Sequence, residues 1–84
     1  MDQSETYNKI VKLITPYVKN TAALEAANSS TRILEDLQVN SARLVDIILA
    51  IEDEFSVAID DEAADRVQTL GDAVEVVLAR SAVR

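Results

Sequence analysis

Ser41 is the residue whose type and position could do chemistry. It follows Asn40 and heads an acidic, apolar-striped run from Ala42 to Phe55. Asn40 is a good helix N-cap, because its side-chain oxygen can accept an orphan backbone N–H of the first turn. Ser41 then takes the first helical position with its hydroxyl exposed. That end of a helix carries partial positive charge and free N–H groups, so an anion is favoured there, and a phosphodiester on the serine oxygen fits the field. The sequence offers no base to turn the serine into a nucleophile. It has no histidine and no cysteine, which removes the commonest general base and metal ligand, disulfides and any thiol chemistry of the chain's own. No metal-ligand set and no phosphate-cradling glycine loop occurs. Asp60, Asp61, Glu62 and Asp65 lack the spacing and glycine of a calcium loop, so loose cation binding is the most they imply. An enzyme is not expected. What remains is one exposed serine beside an acidic face.

The elements that must hold this serine are helical. Eighty-four residues with one glycine, one proline and abundant alanine point to one small all-α domain. A chain this short buries only about 60–65% of its unfolded surface, so its stability should be modest. The first helix is expected from Ser4 to about Val18, with Tyr7, Ile10, Val11, Ile14 and Val18 as one stripe and a kink or loose final turn at Thr15-Pro16. A long connection follows. Thr21 to Ala27 could make a helical turn or two capped by Thr21, with Leu24 as an anchor, and Ile33, Leu34 and Leu37 return to the core. The second main helix, Ser41 to Phe55, carries Leu44, Ile48, Ile51 and Phe55 at helical spacing, widened by Val45 and Ile47. Asp60 caps a short helix to about Val67, with Ala64 and Val67 facing inward. Thr69 with Asp72 forms a capping-box pattern before the last helix, whose inner face is Leu70, Ala73, Val74, Val77 and Leu78. The tail from Arg80 to Arg84 is expected to fray. The sum is an antiparallel bundle of three main helices plus one short helix, a single domain over residues 1–84.

The net charge of −7 is concentrated. Residues 35–65 hold ten acids and one base, Arg43, whereas the flanking segments are slightly basic. Such a surface repels nucleic acid and attracts proteins with basic patches. Glu52, Asp53 and Glu54 sit at a helix C-terminus, where acids oppose the dipole, which suggests partner contact. The longest apolar run, Ile47 to Ile51, is far too short to span a membrane, and the polar N-terminus lacks a signal-peptide pattern. A cytoplasmic protein is expected.

The run Glu35-Asp36-Leu37-Gln38-Val39-Asn40-Ser41-Ala42, continued through Arg43 to Phe55, resembles the acyl carrier proteins. Their signature is Glu-Asp-Leu-Gly-x-Asp-Ser-Leu followed by an acidic amphipathic helix ending in Glu-Glu-Phe. The likeness extends without a gap to about Val77; the first helix follows the family pattern more loosely. Gln38 replaces the glycine, Asn40 the aspartate and Ala42 the leucine.

The resemblance implies a carrier. A phosphopantetheinyl transferase would place 4′-phosphopantetheine on Ser41, and the arm would hold acyl groups as thioesters for fatty-acid or specialised lipid synthesis. It implies an acyl pocket lined by Ile33, Leu44, Val45, Ile48, Ile59, Ala64, Val67, Ala73 and Val76. Ordinary core packing explains the same residues without a ligand. Asn40, Ala42, Arg43, Asp46, Glu52 and Asp53 are the expected partner-binding positions on a monomer serving enzymes with basic docking patches. The three motif departures and Arg43 suggest a specialised member. Two rivals stand beside this reading: a carrier of aminoacyl or peptidyl groups in a nonribosomal or polyketide pathway, and a helical adaptor without serine chemistry.

Overall fold

The computed structural model describes residues 3–82. Among them there are five α-helices and no strand: α1 (Gln3–Ile14), α2 (Thr21–Glu25), α3 (Leu44–Phe55), α4 (Asp61–Asp65) and α5 (Leu70–Ala82). The three long helices form the bundle, with α1 packed along α5 and α3 laid against both. Helix α1 ends where proline requires it. Thr15, Pro16 and Tyr17 make a single 3₁₀ turn, the loose final turn expected from a proline that cannot continue the α-helical ladder.

The core is almost wholly aliphatic. Ile10, Ile14, Ile33, Leu37, Ile47, Ile51, Leu70, Val74 and Val77 are shut off from solvent, with Phe55 beside them. Some members lie outside the stripes read from the sequence. Thr6 is completely buried on α1, and Val39 is buried one residue before the Asn40 cap. Tyr7 packs against the core, and burial raises the pKa of its phenol above the usual tyrosine value.

Several expectations need correction. The cap of α2 is Asn20, whose Oδ1 accepts from Ala23 N at 3.1 Å; Thr21 is the first helical residue. Leu34 is exposed, because the turn at 33–36 aims Ile33 and Leu37 inward and leaves Leu34 on the outside. On α3, Ile47 joins the buried face but Val45 is 63% exposed. Successive helical residues turn by about 100°, so Val45 and Leu49 fall together on the flank away from Ile47. On α4 the better buried alanine is Ala63, with Ala64 only half-buried at the helix edge. Helix α5 continues through Ala82; the part of the fraying tail at 83 and 84 lies outside the described residues.

The long connection between α2 and α3 is stitched at both ends. Lys19 N and Asn20 N donate to Leu37 O, and Asn20 Nδ2 donates to Asp36 O. Nearer its start, Ile33 N donates to Gln68 O at 2.9 Å, Leu70 N to Thr31 O at 3.0 Å and Gly71 N to Ser29 O at 2.9 Å. These bonds replace the regular ladder that a loop lacks. They fix the segment that delivers Ser41 to the surface.

Candidate functional site

The chain reaches Ser41 through a left-handed residue. Gln38 has φ 56°, between the buried Leu37 and Val39, so the backbone reverses with two apolar anchors inside. This conformation favours glycine because a Cβ crowds the following carbonyl. Asn40 then caps as expected, its Oδ1 accepting from Ala42 N at 2.9 Å. The helix does not begin directly, however. Ser41, Ala42 and Arg43 form a 3₁₀ turn, and α3 proper starts at Leu44. The tighter turn spends backbone donors: Arg43 N bonds Asn40 O at 2.8 Å and Leu44 N bonds Ser41 O. Ser41, Ala42 and Arg43 are all exposed.

Ser41 opens on an apolar groove of about 440 Å³ between α3 and α4. Its walls include Leu44, Val45, Ile48 and Leu49 from α3, and Ile59 and Ala64 from the other side, with Glu52, Asp61 and Asp65 at the rim. A second cleft of about 320 Å³ adjoins it, sharing Leu44, Ala64 and Asp65 and adding Leu34 and Val67. An exposed hydroxyl at the mouth of an apolar groove suits a long substituent with an anionic root and an apolar end. Part of that groove is lined by large side chains held out of the core: Val45 and Leu49 are 63% and 57% exposed.

Comparison with known proteins agrees with this geometry. The family model described as a phosphopantetheine attachment site matches residues 17–77. An acyl carrier protein of Lactobacillus acidophilus is 35% identical over 77 residues, covering 92% of this chain and 94% of the relative. The chain belongs to the acyl carrier protein family. Members of the family are carriers rather than enzymes, and the group they bear is 4′-phosphopantetheine. The family match begins at Tyr17 and so takes in the connection before the serine. Among the described residues no helix is long and apolar enough to cross a membrane, and no cluster of metal-ligating side chains occurs.

The candidate residues of this acyl carrier fall into three groups. Leu44, Val45, Ile48, Ile59 and Ala64 line the groove that starts at Ser41, and Val67 lines the adjoining cleft. Ile33 and Ala73 are sealed in the core and line neither space. Val76 lies on a separate cleft beside Arg66 and Arg80. The residues expected to face partners also divide. Asn40, Ala42 and Asp53 are exposed. Arg43 Nη1 bonds Asp46 Oδ2 at 3.0 Å, so the one base of the acidic segment is partly answered by its own helix. Glu52 is bound inside the fold: its Oε2 accepts from Ile59 N at 2.7 Å and holds the link after α3, which turns through a left-handed Ser56 with φ 54°. Its place against the helix dipole therefore has a structural cause. Leu49 was missed from the sequence because it falls off the core stripe; its signal was a leucine one turn after Val45.

Proposed function

We propose that Ser41 is the attachment residue of the phosphopantetheine arm and that residues 1–84 act as a single carrier domain for acyl chains in the cytoplasm, as a monomer. The observation that carries this reading is the exposed Ser41 hydroxyl at the head of α3, set at the mouth of an apolar groove. When bound, the group supplies a thiol that holds an acyl chain as a thioester. The protein's part is to anchor the arm and to shelter the apolar end. Leu44, Ile48, Ile59 and Ala64 offer an aliphatic surface of the right chemistry, and burial of each added methylene is worth about 0.8 kcal/mol.

The docking face is the exposed flank of α3. Val45 and Leu49 supply apolar contact, and Asp46 and Asp53 with the neighbouring acids supply charge for transferases and acyl-handling enzymes with basic patches. Exposed pairs are worth about 0–1 kcal/mol singly, yet together they raise the association rate. Added salt should therefore slow modification by a phosphopantetheinyl transferase; indifference to salt would make the acids a solvated surface only.

A specialised clientele follows from Ala42 and Arg43. The exposed Ala42 offers little apolar contact where the family motif has leucine, and a cation on the docking face penalises a partner whose own patch is basic. Poor service to a general elongation synthase, rescued by Ala42→Leu with Arg43→Asp, is the expected result; equal activity of both forms would defeat this part. The attachment site itself is tested by intact-mass analysis after treatment with coenzyme A and a transferase. One phosphopantetheine should be gained, and lost in Ser41→Ala with unchanged circular dichroism. Modification that persists in Ser41→Ala would remove the assignment. The acyl group found on protein isolated from its native host then separates an acyl carrier from an aminoacyl or peptidyl one.

A further inference from the structure

Ser41 stands on a ridge between two unlike spaces. It lines the apolar groove itself, whereas its chain neighbours Asn40 and Arg43 line a different cleft of about 520 Å³ with Pro16, Tyr17, Val18 and Lys19. This cleft brings two cations, Lys19 and Arg43, together with Tyr17 and Pro16. It is an exception on this side of the molecule, because Arg43 is the single base between residues 35 and 65. Its position matters because the backbone is a poorer anion site than the sequence suggested. The 3₁₀ turn commits the N–H groups of Ala42, Arg43 and Leu44 to Asn40 Oδ1, Asn40 O and Ser41 O. A phosphodiester on Ser41 thus meets few open backbone donors, the groove beside it is lined by the carboxylates of Glu52, Asp61 and Asp65, and the compensating charge must come from side chains.

We infer that the cleft of Tyr17, Lys19, Asn40 and Arg43 is the resting site of the unloaded arm, with Arg43 and Lys19 holding its phosphodiester and Pro16 and Tyr17 packing its neutral pantetheine portion. The inference rests on Ser41 as the attachment residue. Arg43 can serve two anions at once: only Nη1 engages Asp46 at 3.0 Å, and a guanidinium has five donors in a planar fork. The existing pair is exposed and weak, so sharing Arg43 costs little. Lys19 forms no ion pair with any other described residue, and its backbone is pinned by the bond to Leu37 O, which keeps it beside Asn40. The pantetheine portion is uncharged and carries methyl groups and amides, a match for a cleft lined by Tyr17, Pro16 and Asn40. Loading with an acyl chain changes the balance, because the apolar end is better buried in the groove on the other side of the ridge. The two clefts then sort unloaded from loaded arms.

The test uses the holo protein and nuclear magnetic resonance. Modification at Ser41 is verified first by mass, so failure of the attachment reading is seen separately. In the unloaded holo form, nuclear Overhauser contacts are expected between the arm's methyl groups and the Tyr17 ring, with a shifted phosphorus resonance. Both should be lost in Lys19→Ala with Arg43→Ala, and weakened by high salt, but kept in Lys12→Ala, which removes a like charge elsewhere. An octanoyl-loaded arm should show contacts to Ile48 and Ile59 instead. Holo protein modified at Ser41 whose unloaded arm shows no contact to Tyr17, or contacts the Ile48 side, would overturn the inference.

Discussion

Helix α3 begins at the end of a long connection and α5 after a link of four residues, and the two starts are built in opposite ways. At α5 each early donor is closed. Asp72 N donates to Thr69 Oγ1 at 3.0 Å, and Asp72 Oδ2 accepts from Thr69 N at 3.0 Å and Gln68 N at 3.1 Å. Leu70 N and Gly71 N reach the carbonyls of Thr31 and Ser29. Leu70 is fully buried. At α3 a single side-chain bond from Asn40 caps the turn, and the next three residues all face solvent. The closed start holds the fold together; the open one leaves a serine accessible. Under the proposed attachment at Ser41, reciprocal capping and close backbone contact would bury the residue that the transferase has to reach.

The contrast can be broken most strongly at Gly71. A Cβ there would meet Ser29 O at 2.9 Å and Ser29 Cβ at 3.1 Å, and the oxygen is already the acceptor for Gly71 N. Gly71→Ala should destabilise the protein by about 1–3 kcal/mol in urea unfolding, as overpacking does. An unchanged midpoint would show that the loop yields freely. Next come the caps. Asp72→Ala removes the acceptor of two backbone N–H groups and should cost about 1–2 kcal/mol, whereas Asn40→Ala, which removes one exposed bond, should cost about 0.5–1 kcal/mol. Equal losses would mean that the two starts are held alike. The smallest effect is a gain. Gln38→Gly relieves a left-handed non-glycine residue and should stabilise by about 0.5 kcal/mol, the relief being partly offset by glycine's greater freedom in the unfolded chain. Stabilisation without faster transferase modification would place Gln38 in the scaffold; a change in modification rate would tie the turn to the presentation of Ser41.

Much of the architecture was legible from spacing alone. The stripes of α1 and α5, the proline-ended first helix, the Asp60 cap and the Thr69–Asp72 box are local features, set by side chains within four residues of one another. Local hydrogen bonds and helical periodicity depend on no distant partner. Ser41 was singled out for the same reason, since its neighbours fix a cap and a helix start. The family likeness in Glu35 to Phe55 then supplied a role that spacing could not.

Tertiary structure decided what each apolar residue faces. Val45 and Ile47 look alike on a helical wheel drawn from Leu44, yet one is 63% exposed and the other fully buried, because α1 and α5 cover a single side of α3. Glu52 reads as a free surface acid until the chain folds back and brings Ile59 N to its carboxylate. Gly71 gains its meaning only when Ser29, forty-two residues earlier, lies against it. Tyr17 and Lys19 share a cleft with Arg43 for the same kind of reason, through bonds from Lys19 and Asn20 to Leu37 O. Sequence determines what a segment can do with its own neighbours; which segments become neighbours is settled by the packing of the core.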